Sequence, residues 1–352
     1  MSSRPRSGED PSLVRWPAPG KAAGLACGWE GYAWTAAHLV GSGTMHAIPG
    51  LEAKVRRFAL EELAAPAPKA ASHLWGAGGV AVVCGRYASF DGSLRPLVRQ
   101  SFRRWQATWA SCPSFDLAEG TAGALLACAE LDRIGCGTPF AKSLKPLQET
   151  CARALHTELE SAEAGRASLG LLHGIAGLLL ALVVGRAVLG LPVRRSLTDR
   201  AFEALCRHRF RTRRGLTQWF GWTGVRRSRR GSWCSGAPGI TAALLRCAEW
   251  TGEERYLRLA VEGALSTRFY RTVARCFCCG TVGRSQVLIE TYRVTGDTPW
   301  LDYALALRRL RGLEASPCFS LPGFFWGRLG LDYLDHRIRN PALPLPGLGP
   351  QP

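Results

Sequence analysis

The chain opens without an export signal: residues 1–20 carry Arg, Glu, Asp and Pro but no apolar run. It also lacks an unbroken membrane-length stretch. The nearest candidate, Leu169 to Gly185, is interrupted by His173 and four glycines, so it reads as a buried helix rather than a span. Strand-like alternation of apolar and polar residues is absent at any length. Acidic residues are missing altogether from Arg207 to Arg230, where nine arginines supply half of the net charge of +18. No nucleic-acid-binding motif accompanies them, so no nucleic acid partner is expected, and the segment reads as a solvated or peptide-binding loop.

What is present is globular. The 352 residues are 47% apolar and only 20% charged, long for one compact domain and short for three. Thirteen cysteines are an odd number. Without an export signal they read as reduced thiols of a cytoplasmic protein. Cys84, Cys128, Cys151, Cys206 and Cys247 fall in helical apolar stripes, where a cysteine is a small core residue.

The organising feature is a repeat. Gly-x-x-Gly recurs as Gly28/Gly31, Gly76/Gly79, Gly120/Gly123, Gly174/Gly177, Gly236/Gly239, Gly280/Gly283 and Gly327/Gly330. Successive first glycines are 48, 44, 54, 62, 44 and 47 residues apart. An eighth match, Gly221/Gly224, lies only 15 residues before Gly236 among aromatics and reads as loop. Each pair leads into an apolar stretch, such as Leu178 to Leu182 or Ala242 to Leu245. Glycine in a helix is less favourable than alanine by up to about 1 kcal/mol. Seven repetitions therefore imply close backbone approach or a sharp turn at each site. Amphipathic stretches lie between the pairs: Lys142 to Leu159, Glu254 to Tyr270 and Trp300 to Leu313. Each repeat is thus an apolar helix plus an amphipathic one. Neither end of the chain carries a capping repeat, which favours a closed ring with the apolar helices inside. The expected architecture is all-α, a seven-repeat α/α toroid over residues 24–340, with an N-terminal tail (1–23) and a Pro-rich C-terminal tail (341–352).

Equivalent positions in a ring share a face. Immediately before the first glycines stand Cys27, Trp75, Glu119, His173, Ser235, Cys279 and Trp326; one residue earlier stand Ala26, Leu74, Ala118, Leu172, Cys234, Cys278 and Phe325. The reactive side chains concentrate in repeats three to six. Adjacent cysteines such as Cys278 and Cys279 rarely form a strain-free disulfide. Adjacent ligands at a helix entry can share a metal, and Cys234 comes from the matching place in the neighbouring repeat. Any one of these thiols alone would read as buried core. Together they read as the protein ligands of a single zinc with an open fourth position.

These residues carry a family resemblance. Leu172-His173-Gly174-Ile175-Ala176-Gly177, Trp233-Cys234-Ser235-Gly236-Ala237-Pro238-Gly239, Cys278-Cys279-Gly280 and Asp116-Leu117-Ala118-Glu119-Gly120 resemble, in order, the motifs of lanthionine synthetase C-like cyclases. The glycine pairs extend that likeness over nearly the whole chain. The resemblance implies a double ring of about fourteen helices, one zinc, and addition of peptide Cys thiols to dehydroalanine or dehydrobutyrine to form thioether rings. By motif position Cys234 and Cys278 match two cysteine ligands, His173 and Asp116 the catalytic His and Asp, and Arg230 an active-site Arg. His173 could also be a core histidine, and Asp116 a helix cap.

Two departures stand out. Cys279 replaces the usual His ligand, and Ser235 follows the first ligand where Tyr or His is usual. Three thiolates leave the ion net negative before substrate binds, whereas two thiolates and a neutral His leave it neutral, so this variant should be the more reactive. The implied substrate is a dehydrated precursor peptide. No dehydratase or kinase-like domain is present, so a separate dehydratase is implied. The resemblance leaves room for peripheral membrane association through a complex and sets no oligomeric state. A protein prenyltransferase-like toroid would need Asp and His ligands and a partner subunit, and neither pattern is present. The remaining alternative is a non-catalytic, zinc-stabilised peptide-binding scaffold.

Overall fold

The computed structural model describes residues 16–19, 24–46, 48–66, 69–136, 141–224, 231–270, 274–310, 312–320 and 323–352. Among them are thirteen α-helices in two concentric layers. The inner layer holds α1 (Trp29–Gly41), α3 (Gly78–Ala88), α5 (Thr121–Arg133), α7 (Ile175–Leu189), α9 (Ala237–Thr251), α11 (Thr281–Thr295) and α13 (Arg328–Arg339). The outer layer holds α2 (Leu51–Ala64), α4 (Arg95–Trp109), α6 (Ala141–Glu163), α8 (Arg195–Arg207), α10 (Glu254–Phe269) and α12 (Pro299–Arg308). The fold is an all-α toroid.

The two layers differ as their sequences require. In α7 every residue from Ile175 to Gly185 is buried. In α8 only Thr198, Ala201, Ala204 and Leu205 are, the three- and four-residue steps of a one-faced helix. The inner helix α11 departs furthest from the apolar pattern: it buries Arg284, Gln286 and Glu290. Glu290 pairs with Arg337 of α13, Arg246 of α9 and Arg293, and Arg284 donates to the Thr267 carbonyl at 2.6 and 2.9 Å. Buried charge persists there because Glu290 is ion-paired and the Arg284 guanidinium is satisfied by backbone carbonyls.

All seven glycine pairs fall at the starts of inner helices, at one end of the ring. Six first glycines are helix N-caps with extended φ, and Gly76 lies just before α3. Close approach, not a left-handed backbone, is what requires glycine. A Cβ on Gly239 would lie 1.9 Å from the Trp233 carbonyl oxygen, and one on Gly283 2.0 Å from that of Phe277. The same six-residue back-contact recurs at Gly31, Gly123, Gly177 and Gly330. Each turn thus folds tightly over its own helix entry.

The turns also bond to one another around the rim. Ala26 N–H donates to Leu74 C=O, Ala71 to Glu119, Leu117 to Leu172, Leu172 to Cys234, Cys234 to Cys278, Cys278 to Phe325, and Phe325 back to Ala26, at 2.7–3.2 Å. This circuit of backbone hydrogen bonds closes the ring and fixes each rim residue relative to the next.

The C-terminal segment, set apart as a tail in the sequence, packs inside the ring. Past α13 the chain turns back: Arg337 Nε donates to Leu343 C=O at 2.9 Å and Tyr333 Oη to Pro344 C=O at 2.7 Å. Gly347, at φ +84°, sits beneath the rim beside Leu74 and Trp233. The chain then runs back down past Leu126 and Val184 to Trp250, whose indole N–H donates to Pro350 C=O at 3.2 Å. Leu343, Leu345 and Leu348 are fully buried, each contributing about 1.5–3 kcal/mol of burial. The segment thus lies between the inner helices below the rim.

Candidate functional site

Cys234 lies in the turn before α9, and Cys278 and Cys279 in the turn before α11. The rim circuit joins the two turns, since Trp233 N–H and Cys234 N–H both donate to Cys278 C=O, at 2.9 and 3.2 Å. The three sulfurs therefore converge: Cys234 Sγ is 3.8 Å from Cys279 Sγ, Cys279 Sγ is 3.6 Å from Cys278 Sγ, and all three lie within 4.8 Å of one another. Such a cluster could hold a metal ion. Hydrogen bonds from the Cys278 and Cys279 thiols, helped by the Ser232 and Ser235 hydroxyls, overcome burial and hold Cys234 well below the ordinary thiol range. Ser235 Oγ donates to Cys234 Sγ at 3.5 Å, so it acts here as a neighbour of the sulfur. Cys84 and Cys151 show the contrast: burial in the helix layers pushes each thiol up to about 12. They are the inert core cysteines expected from their stripes.

The next rim turn carries His173. Its Nδ1 donates to Asp116 Oδ2 at 2.7 Å, and the side chain is about half exposed, at 47%. Asp116 Oδ1 accepts the Glu119 backbone N–H at 2.8 Å. Asp116 does not cap α5, whose N-cap is Gly120; one of its oxygens braces the turn before that helix, and the other is bonded to the imidazole. That hydrogen bond, against burial and with help from the Asp116 and Cys234 charges, raises the His173 pKa above 6.5. Nδ1 is committed to the carboxylate, so Nε2 is the nitrogen offered to a ligand. Beside the pair lies a cleft of about 510 Å³, lined by Phe115, Arg153, Thr157 and Leu178 among others. The His173 and Cys234 turns are joined by Leu172 N–H donating to Cys234 C=O at 2.8 Å.

Of the six residues singled out in sequence, the structure brings Cys234, Cys278 and Cys279 into one cluster and His173 and Asp116 into one hydrogen bond. Arg230 lies outside the described residues. The basic segment is corrected in part. Rather than a loop throughout, it contains an antiparallel hairpin of β1 (Arg209–Arg211) and β2 (Thr217–Trp219), turned at Gly215 with φ +73°. Arg209 and Arg211 pair with Glu262, and Thr217 and Trp219 are buried. Strands of three residues are too short to show an alternation. Sequence reasoning also passed over Cys276, whose Sγ accepts the Cys279 backbone N–H at 3.4 Å. The Cys276-x-x-Cys279 spacing was the available signal.

The model of the lanthionine synthetase C-like protein family matches residues 64–311, and the chain belongs to that family. Among solved structures it is similar to nisin cyclase, with a TM-score of 0.72 over 92% of this chain and 90% of that one, at 14% sequence identity. At that identity the likeness establishes the toroid fold. No curated protein matches the sequence. No helix among the described residues is long and apolar enough to cross a membrane.

Proposed function

We propose that the protein is a zinc-dependent peptide cyclase that adds Cys thiols to dehydroalanine or dehydrobutyrine, forming lanthionine or methyllanthionine rings. The observation that carries this reading is the pairing, on one rim, of a three-sulfur cluster with a carboxylate-tethered, half-exposed histidine. The cluster fits zinc on its donor chemistry and spacing. A tetrahedral zinc with sulfurs at about 2.3 Å separates them by about 3.8 Å, and the observed separations include 3.6 and 3.8 Å. Cys234, Cys278 and Cys279 would hold the ion, leaving one position for a fourth donor. Zinc there supplies the Lewis acidity that keeps an incoming substrate thiol ionised at neutral pH.

The chain's own residues supply the rest. Addition of a thiolate to the β-carbon of a dehydro residue places charge on the adjacent carbonyl oxygen and a proton demand on the α-carbon. His173, its pKa raised above 6.5 by the hydrogen bond to Asp116, would donate from Nε2 to that carbon. Its exposed side chain is reprotonated by solvent. Arg230, four residues before Cys234, is assigned to the developing carbonyl charge by motif position. With the C-terminal segment packed against the inner helices, the rim is the face offered to substrate, which suits a flexible peptide presenting one residue at a time. The arginines of the segment 207–230 would attract an acidic leader peptide, and a separate dehydratase would prepare the substrate. The free thiols suit the cytoplasm.

The test is mass spectrometry of a dehydrated, Cys-containing peptide incubated with the metal-analysed protein and a thiol-alkylating trap. Faster ring closure than in buffer, or a ring pattern buffer does not give, supports the cyclase. Binding of the peptide with no change in rate or ring pattern supports the scaffold instead.

A further inference from the structure

One more thiol borders the three-sulfur cluster. Cys276 stands three residues before Cys279 in the same turn, and its Sγ accepts the Cys279 N–H at 3.4 Å. It is buried, at 6% exposure, while Cys279 is only partly buried. The three mutually adjacent sulfurs are those of Cys234, Cys278 and Cys279, so Cys276 lies beside the ligand set without being in it. The two thiols are also hydrogen-bonded to each other, so this Cys-x-x-Cys turn brings both sulfurs to one place, as disulfide exchange requires.

We propose that Cys276 and Cys279 are a redox-active dithiol that exchanges with small-molecule disulfides, and that closing their bond withdraws Cys279 from the metal-ligand set. The dithiol stands on the geometry of this turn alone; the withdrawal of a ligand rests on the zinc reading above. Cys279, the more exposed sulfur, attacks the small disulfide as a thiolate. The small S–S bond breaks and one small thiolate leaves, taking the Cys276 proton. Cys276 then attacks Cys279 Sγ, forming the internal disulfide and expelling the second small thiolate, which is protonated by solvent. Two protein sulfurs lose two electrons in all, and one small disulfide becomes two thiols. Cys278 is a poor partner because it is adjacent in sequence. Cys234 is the rival, with its sulfur 3.8 Å from Cys279 Sγ. It is engaged with both other cluster thiols and Ser235, whereas Cys276 engages Cys279 and stands outside the three-sulfur set. Substitution of Cys for the usual His ligand is what makes this exchange available to the chain.

The experiment equilibrates the full chain in mixtures of reduced and oxidised glutathione, traps free thiols with iodoacetamide, and maps linkages by non-reducing digestion and mass spectrometry. Zinc release is followed in parallel with a chromophoric chelator. The expected result is a Cys276–Cys279 linkage, joint loss of alkylation at both residues, and release of the bound zinc, all reversed by reductant. Cys276→Ser, with folding checked by circular dichroism, should instead accumulate a glutathione adduct at Cys279. A linkage between Cys234 and Cys279, or Cys276 alkylated equally in every mixture, overturns the proposal. If the serine variant does not fold, the linkage map of the unaltered chain decides alone. A protein that holds no zinc when reduced yet forms the Cys276–Cys279 bond upholds the dithiol and counts against the metal reading.

Discussion

The two halves of the rim share one backbone and carry different chemistry. Repeats three to six place Glu119, His173, Ser235 and Cys279 before their glycines; repeats seven, one and two place Trp326, Cys27 and Trp75. Both halves belong to the same hydrogen-bonded circuit of turns. On the second half the side chains pack: Trp75 lies 5.3 Å from Phe325 and 5.5 Å from Trp326, and Phe325 lies 4.8 Å from Phe277. Below that seam Phe324 meets Tyr333 at 5.3 Å and Trp34 at 6.3 Å, where α13 returns to α1. One half of the rim packs its side chains, and the other half gathers the thiols and the His173–Asp116 pair. A repeated turn held rigid by its own backbone lets a single side-chain position decide between the two.

Substitutions should separate the halves. The largest effect is expected at Cys234→Ala, which should bring zinc content and turnover to background together while leaving the helical circular dichroism intact. Metal analysis beside the cyclisation assay checks both. His173→Ala should keep the zinc and slow turnover by about 100-fold or more if His173 is the general acid. Full native turnover in that variant would remove His173 from the chemistry. Asp116→Asn should do less, and it has a sign in pH. Asp116 raises the His173 pKa, so native activity that needs the protonated imidazole persists above pH 6.5 and falls as pH rises through the raised value. The asparagine variant should lose activity at lower pH, and a pH–rate profile that does not move contradicts the pairing.

The packing half should answer differently. Phe325→Ala removes a buried ring from the seam and should destabilise by about 3–5 kcal/mol, while whatever remains folded keeps native zinc content. Denaturant unfolding gives the first quantity and metal analysis the second; loss of zinc without loss of stability would erase the division between halves. The smallest effect is expected at Glu262→Ala beneath the arginine hairpin. Its partly exposed pairs with Arg209 and Arg211 contribute less than about 1 kcal/mol, and loss of the hydrogen bond from the buried Thr217 hydroxyl costs about 1 kcal/mol more, so the unfolding midpoint should fall only slightly.

The toroid was legible because its defining contact is steric and only one residue type satisfies it. Only glycine tolerates a carbonyl 1.9 Å from where a Cβ would stand, so the sequence records each inner-helix entry. The candidate site followed, since rim residues hold a fixed offset from those glycines and cysteines one repeat apart in sequence become neighbours. Three things left no such record. The rim circuit is made by backbone groups that every residue carries. The C-terminal segment reads as a tail because Pro and Gly dominate it, yet Leu343, Leu345 and Leu348 are fully buried; neither helical nor strand periodicity marks a chain that turns inside a lumen. The polar face of α11 is buried through partners on α9 and α13, which only the closed ring supplies. Cys276 was readable from its spacing and was overlooked beside the stronger Cys278-Cys279 pair.

X-ray absorption at the zinc edge, before and after a thiol-bearing dehydropeptide is added, tests the open three-sulfur site most directly. The expected first shell of the free protein is three sulfurs at about 2.3 Å and one lighter donor, becoming four sulfurs when substrate binds. A shell of four sulfurs before any substrate is present, or one without three, would contradict the assignment of Cys234, Cys278 and Cys279 as an open catalytic set.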